Sequence, residues 1–213
     1  MIDLVVGQEL SGKQKDQLLN TLGKYESVFY KDGELPLVKI GVEHSVRLQE
    51  NAAPIACRPR RLSKDEELEV RKEINILFEQ GLIRHSNSPW AAPVVCARRA
   101  DGSLRLAIDY RLVNAVSYPA TLHPIPLIED LLDRLADAKY FSVLDAKSGY
   151  HQMPLREGDT EATAFVTPWA HLEWAERTPF GLKGAGYSFQ RMMAVVLGES
   201  NFTEALCYGQ VEV

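Results

Sequence analysis

Asp145 ends the run YFSVLD, just before the turn-forming residues Lys147, Ser148 and Gly149. A carboxylate delivered to the end of a strand can ligate magnesium or act as a general base. The same residue type is also a good helix N-cap, and position alone leaves both readings open. Phosphoryl transfer with two metals ~4 Å apart needs several carboxylates from different elements, so Asp145 by itself cannot supply it. Arg98, Arg99, Arg105 and Arg111 surround an ADGS turn, where guanidinium groups can take phosphate oxygens in bidentate fashion or simply form a solvated rim. Arg58, Arg60, Arg61 and Lys64 form a second basic cluster. Tyr150, Trp169, Trp174 and Phe180 can stack on bases or fill a core. The five histidines show no ligand-pair spacing. GLKGAG at 181–186 lacks the spacing of a phosphate loop.

The elements that must position these residues follow from periodicity and punctuation. Residues 13–30 carry Leu18, Leu19, Leu22, Tyr25, Val28 and Phe29 at helical spacing behind Ser11, a surface helix. Residues 42–48 read as a short extended piece. Ser63 and Glu66 form a capping box for a helix that presents Leu68, Ile74, Leu77 and Phe78 and stops at Gly81. AAPVVCARR and LRLAIDY are the arms of a hairpin, and the three prolines within 117–126 mark a loop. A short amphipathic helix is expected over IEDLLDRLADA and a strand over KYFSVLD. Two antiparallel strands follow at 162–167 and 171–176. After them comes a helix with Phe189, Met193 and Val196 facing inward, then a final strand at ALCY. The fold class expected is α+β, with an antiparallel sheet.

With 213 residues and 46% hydrophobic content, the chain can bury one sizeable core or two small lobes. A net charge of -5 confines any nucleic-acid contact to a local basic face. Three widely spaced cysteines fit reduced thiols and an intracellular location, cytoplasmic or nuclear. No apolar run approaches the ~20 residues of a membrane span, so no membrane partner is expected.

Four ordered stretches then resemble the reverse transcriptase domain of long-terminal-repeat retrotransposon polyproteins of the Ty3/gypsy-like class. They are SNSPWAAPVVCARRADGSLRLAIDYRLVN (86–114), HPIPLIEDLLDRL (123–135), YFSVLDAKSGYHQMPL (140–155) and TAFVTPWAHLEWAERTPFGLKGAGYSFQRMM (163–193). The likeness extends upstream over residues 56–83. It implies a right-hand polymerase-like fingers and partial palm at 55–213, preceded by a linker-like segment with one helix at 1–54. It also implies Mg2+, an RNA or DNA template-primer and deoxynucleotides. Carried over position by position, Asp145 is the metal-binding catalytic carboxylate and Arg105 the triphosphate-binding arginine. Arg98 or Arg99 assists near the hairpin tip, Tyr150 lies beneath the incoming sugar, Phe180 walls the nucleotide pocket, and Gln190 sits in the helix that follows.

The departure falls where the family carries a tyrosine, a variable residue and two aspartates. Here Tyr208 and Gly209 are followed by Gln210 and Val211. Glutamine is neutral and valine cannot ligate, so the expected set stops at Asp145. The expectations are a truncated fingers and palm module, thumb absent, that does not polymerise alone and binds Mg2+ poorly. Two rivals stand beside it: a polymerase domain active with an additional chain or partner, and a non-catalytic module for nucleic acid or protein. A protein partner covering the cut palm edge fits the unpaired strand such a truncation leaves.

Overall fold

The computed structural model describes residues 9–29, 35–98, 104–118 and 142–198, together with 102, 127, 129, 133, 136 and 139. The chain divides into two compact units, 1–35 and 36–213. In the first, α1 (Gly12–Lys24) opens with the Ser11 amide donating to Gln14 Oε1 at 2.9 Å, and a 3-10 turn follows at Glu26–Val28. No residue of α1 is buried, as expected of a surface helix.

In the second unit, α2 (Lys64–Glu79) is fixed at its start by the reciprocal Ser63–Glu66 box. The Ser63 amide donates to Glu66 Oε2 at 2.7 Å and the Glu66 amide to Ser63 Oγ at 3.3 Å. These bonds satisfy two of the donors a helix start otherwise leaves orphaned. Gly81 stops the helix at φ +66°, a left-handed geometry that glycine takes without a Cβ clash. The buried positions of α2 are Val70 and Ile74, with Leu77 and Phe78 partly buried on the same face; of the expected apolar positions Leu68 is exposed.

Among the described residues the sheet has five strands: β1 (Ile83–His85), β2 (Ala92–Arg98), β3 (Leu104–Ile108), β4 (Phe165–Val166) and β5 (His171–Trp174). Their spatial order is β1-β5-β4-β2-β3. Every adjacency is antiparallel except β2–β4, where Ala92 faces Phe165 and Pro93 faces Val166 in parallel register. That parallel step joins the hairpin to the later strands. Pro93 has no N–H, but its carbonyl accepts the Asp109 amide at 3.0 Å while the Ala92 amide reaches the Ala164 carbonyl at 2.9 Å. Buried Trp90, Val94, Tyr110, Phe165, Leu172 and Trp174 fill the sheet's inner side. A second cluster of Val42, Met153, Phe189 and Met192 forms where α4 (Ala185–Gly198) packs on residues 149–153, with Val38, Tyr150 and Met193 against it.

Three expectations need correction. Residues 142–146 form no strand among the described residues; Val143 is 93% exposed and Leu144 81% exposed. Apolar alternation makes a strand only where a neighbour supplies ladder bonds and a face to bury, and no described strand pairs with this segment. Val196 of α4 is 48% exposed rather than inward. The strand at 162–167 is shortened to two residues because Thr160–Thr163 closes as a 3-10 turn, with Thr163 Oγ1 donating to the Thr160 carbonyl at 2.6 Å. Most of the expected helix in 128–138 and all of the ALCY strand lie outside the described residues.

Candidate nucleotide and nucleic-acid site

Strand register sorts the arginines of the hairpin. Ala97 pairs with Arg105 and Arg98 pairs with Leu104, so Arg105 and Arg98 project from opposite faces of the β2–β3 ribbon. Arg98 lies on the side of Cys96, Leu106 and α2, where its charge helps hold the Glu66 carboxyl below its usual range, after the hydrogen bonds from Ser63. On that side, burial and the nearby Glu66, Glu73 and Glu69 push the Cys96 thiol up. Arg99 lies outside the described residues.

On the other face, the Arg105 guanidinium carbon sits 5.1 Å from the centroid of the Phe180 ring. Phe180 in turn lies 4.8 Å from Tyr150, and Tyr150 stacks on Phe189 at 5.2 Å with an interplanar angle of 20°. Arg105, Tyr150 and Phe180, from three separate stretches, therefore meet in one cationic-aromatic cluster. Gln190 is buried on α4 beside Phe189. The turn below the cluster is tight: Ser148 adopts φ 49° and ψ 48°, and the His151 amide returns to the Ser148 carbonyl at 2.8 Å. A Cβ on Gly149 would lie 2.9 Å from Phe189 Cζ, so only glycine lets α4 approach this closely.

Asp145 is exposed, three residues before the cap position of the Gly149–Gln152 3-10 turn, which Ser148 occupies. No three His, Cys, Asp or Glu side chains among the described residues come together as a metal-binding group. One exposed carboxylate does not match the donor set two magnesium ions require, and the described residues do not fit that cofactor. The residues at 208–213 lie outside the described set.

Asp109 binds Arg111 through Nε (2.8 Å) and Nη2 (2.7 Å), and it binds Arg60 Nη2 at 2.7 Å. The Arg111 hydrogen bonds hold its carboxyl below the usual range. One carboxylate thus orients two exposed guanidinium groups from the two basic clusters. Trp169 is capped by Arg71 at 3.9 Å, and Trp174 is buried, stacking on His151 at 4.7 Å. Both serve the core and its rim rather than an open stacking surface.

Several residues around the cluster carried no usable sequence signal. His151 meets Phe180 edge-on at 5.1 Å and donates Nδ1 to the Thr178 carbonyl at 3.1 Å. Burial lowers its imidazole to about 4, with Arg177 and Arg105 adding to the effect and the Thr178 bond opposing it. His44 is likewise lowered to about 4 by burial, against the pull of Asp159, and its Nδ1 lies 3.0 Å from Ser188 Oγ. Asn114 spans 67 residues of sequence to bind Gly181, and Lys183 returns to Asn114 and Ser117. Both were in view, in DYRLVN and GLKGAG, but neither string implies the other.

A mixed sheet with a basic hairpin above an aromatic turn is the fingers-and-palm portion of a right-hand polymerase fold. The chain matches a foamy viral protease-reverse transcriptase solved in complex with an RNA/DNA hybrid at a TM-score of 0.81, with 22% identity, over 95% of this chain and 27% of that one. That likeness establishes the fold. Residues 97–208 match the family described as "Reverse transcriptase (RNA-dependent DNA polymerase)", and the chain belongs to this family. Its relatives include the retrovirus-related Pol polyprotein from transposon 297 of Drosophila melanogaster, 34% identical over 193 residues, covering 88% of this chain and 18% of the polyprotein. The transposon Tf2-3 polyprotein of Schizosaccharomyces pombe is 32% identical over 175 residues, 82% of this chain and 13% of its own length. The chain thus spans less than a fifth of these relatives. No helix among the described residues is long and apolar enough to cross a membrane.

Proposed function

We propose that this chain is a fingers-and-palm module of reverse-transcriptase descent that binds a template-primer and nucleotide but does not polymerise with its own residues. The observation that carries this reading is the cluster of Arg105, Phe180 and Tyr150. Arg105 offers a planar cation for phosphate oxygens, Phe180 walls the base, and Tyr150 lies under the sugar. Arg60 and Arg111 around Asp109 extend the basic surface along which a nucleic-acid backbone can run, whereas Arg98 faces the opposite side of the ribbon. Gln190 supports the floor from α4. The polymerase reaction needs two divalent ions held by converging carboxylates; this chain brings Asp145, and Gln210 and Val211 stand where the family carries the rest. Mg2+ is therefore a weak ligand of this chain alone.

Salt dependence tests the binding half. Affinity for a labelled RNA/DNA hybrid is expected to fall linearly on a log–log plot against salt, as phosphate neutralisation by arginine requires. Absence of binding at ~50 mM salt would remove nucleic acid as the ligand.

A further inference from the structure

Phe180 lies in a turn past the end of β5, outside any described strand. The loop that carries it is tied to α3 (Arg111–Ala115), the short helix that follows β3. The Asn114 side chain meets this loop as a peptide group would: Nδ2 donates to the Gly181 carbonyl at 2.8 Å, and Oδ1 accepts the Lys183 amide at 2.8 Å. Lys183 closes the return path, its Nζ donating to the Asn114 carbonyl at 3.2 Å and the Ser117 carbonyl at 3.0 Å. Gly181 has φ +89°, and a Cβ there would sit 3.6 Å from the Tyr110 ring, so the loop lies directly on that buried side chain. Tyr110 is itself anchored, its hydroxyl donating to the Thr163 carbonyl at 2.8 Å.

Arg105 and Asn114 are thus nine residues apart on one continuous β3–α3 segment. One end supplies the cation and the other grips the loop that supplies the aromatic wall. We propose that Asn114, backed by Lys183, is a positioning residue that sets the Arg105–Phe180 spacing of the nucleotide pocket. It touches no ligand and acts through Phe180. A free loop would let Phe180, which is 37% exposed, leave the guanidinium. Two side-chain hydrogen bonds to backbone, backed by a lysine on two carbonyls, hold it there without burying the ring. This inference rests on the pocket reading above and extends it to residues outside the pocket.

The test is a double-mutant cycle on the full chain bound to an RNA/DNA hybrid, titrated with 2-aminopurine deoxyriboside triphosphate. Asn114→Ala is expected to weaken nucleotide binding by roughly 3- to 10-fold, the scale of a net hydrogen bond, in the parent chain. In a Phe180→Ala background the same change is expected to have no effect, because the element it positions is gone. Equal losses in both backgrounds would overturn the proposal, since Asn114 would then act on general stability. Asn114→Asp keeps the acceptor for the Lys183 amide but loses the donor to Gly181. It guards against misfolding of the alanine variant and is expected to fall in the same range. Amide hydrogen exchange separates this inference from the pocket reading. If the parent chain binds neither hybrid nor nucleotide, the pocket reading fails. Exchange then decides the clamp: faster exchange at the Lys183 amide in Asn114→Ala, confined to the loop, upholds it, and unchanged exchange overturns it.

Discussion

The guanidinium of Arg105 stands 5.1 Å from the ring of Phe180, joining a strand of the basic hairpin to a loop 75 residues later in the chain. Cation–π contacts at partly exposed sites contribute about 0.5–1 kcal/mol, too little to place these groups by themselves. Their meeting depends on the sheet and on the loop's anchors. In the proposed pocket the pair presents a cation and an aromatic face to one ligand.

Replacing Arg105 separates charge from shape. Arg105→Ala is expected to weaken binding of a deoxynucleoside triphosphate to the hybrid-bound chain by about 10-fold or more, as loss of a charged hydrogen-bond donor implies. Arg105→Lys keeps the charge but loses the planar fork and is expected to fall between. Titration with 2-aminopurine deoxyriboside triphosphate at fixed salt reads both; parent-like nucleotide affinity in the alanine variant would remove Arg105 from the pocket.

Buried His44 and half-buried His151 set a pH dependence of stability. His44 and His151 titrate at about 4 in the folded chain against an ordinary 6.5, so below 6.5 the unfolded state binds more protons. Their contribution is complete above 6.5, falls as pH drops from 6.5 toward 4, and does not fall further below that. Within this window each histidine contributes a slope of up to about 1.4 kcal/mol per pH unit. Urea unfolding between pH 7 and 4 measures the slope, and His44→Gln is expected to reduce it. A slope unchanged by that substitution would show that His44 is not held neutral.

Gly149 is a packing constraint. Gly149→Ala would drive a methyl to 2.9 Å from Phe189 Cζ and 3.3 Å from Ala146 Cβ, in a place where Phe189 is buried and stacked on Tyr150. A destabilisation of about 1–3 kcal/mol is expected from such overpacking, read from the denaturation midpoint. A neutral result would mean that α4 yields easily.

The exposed segment before it behaves oppositely. Val143→Thr and Leu144→Asn are expected to change stability by no more than about 0.5 kcal/mol, as surface substitutions do. A loss near 2 kcal/mol or above, the scale of a truncated core residue, would show that these side chains are buried after all.

Local signals were readable wherever physics is local. Ser63 with Glu66 announced α2 and the ADGS turn announced the hairpin, because capping and turn chemistry act over three or four residues. What was illegible depended on partners distant in sequence. Ile83–His85 is too short to show a period and is a strand only because Trp174, Glu173 and Leu172 pair with it. Val143 and Leu144 look like core residues and are not, since burial belongs to the neighbour as much as to the side chain. In the site, Asp145, Arg105, Tyr150 and Phe180 were reached through family likeness. The opposed faces of Arg98 and Arg105 required the hairpin register, and Asn114 required the fold.

Nucleotide incorporation on a labelled RNA/DNA hybrid, with Mg2+ or Mn2+ and all four deoxynucleotides, is the most direct measurement. The parent chain and Asp145→Asn should be compared on samples whose hybrid binding is measured at the same time. A binding module without a complete metal set predicts a salt-sensitive complex and no extended primer in either protein. Primer extension by the parent chain, lost in Asp145→Asn, would contradict it and show that other carboxylates complete the site around Asp145.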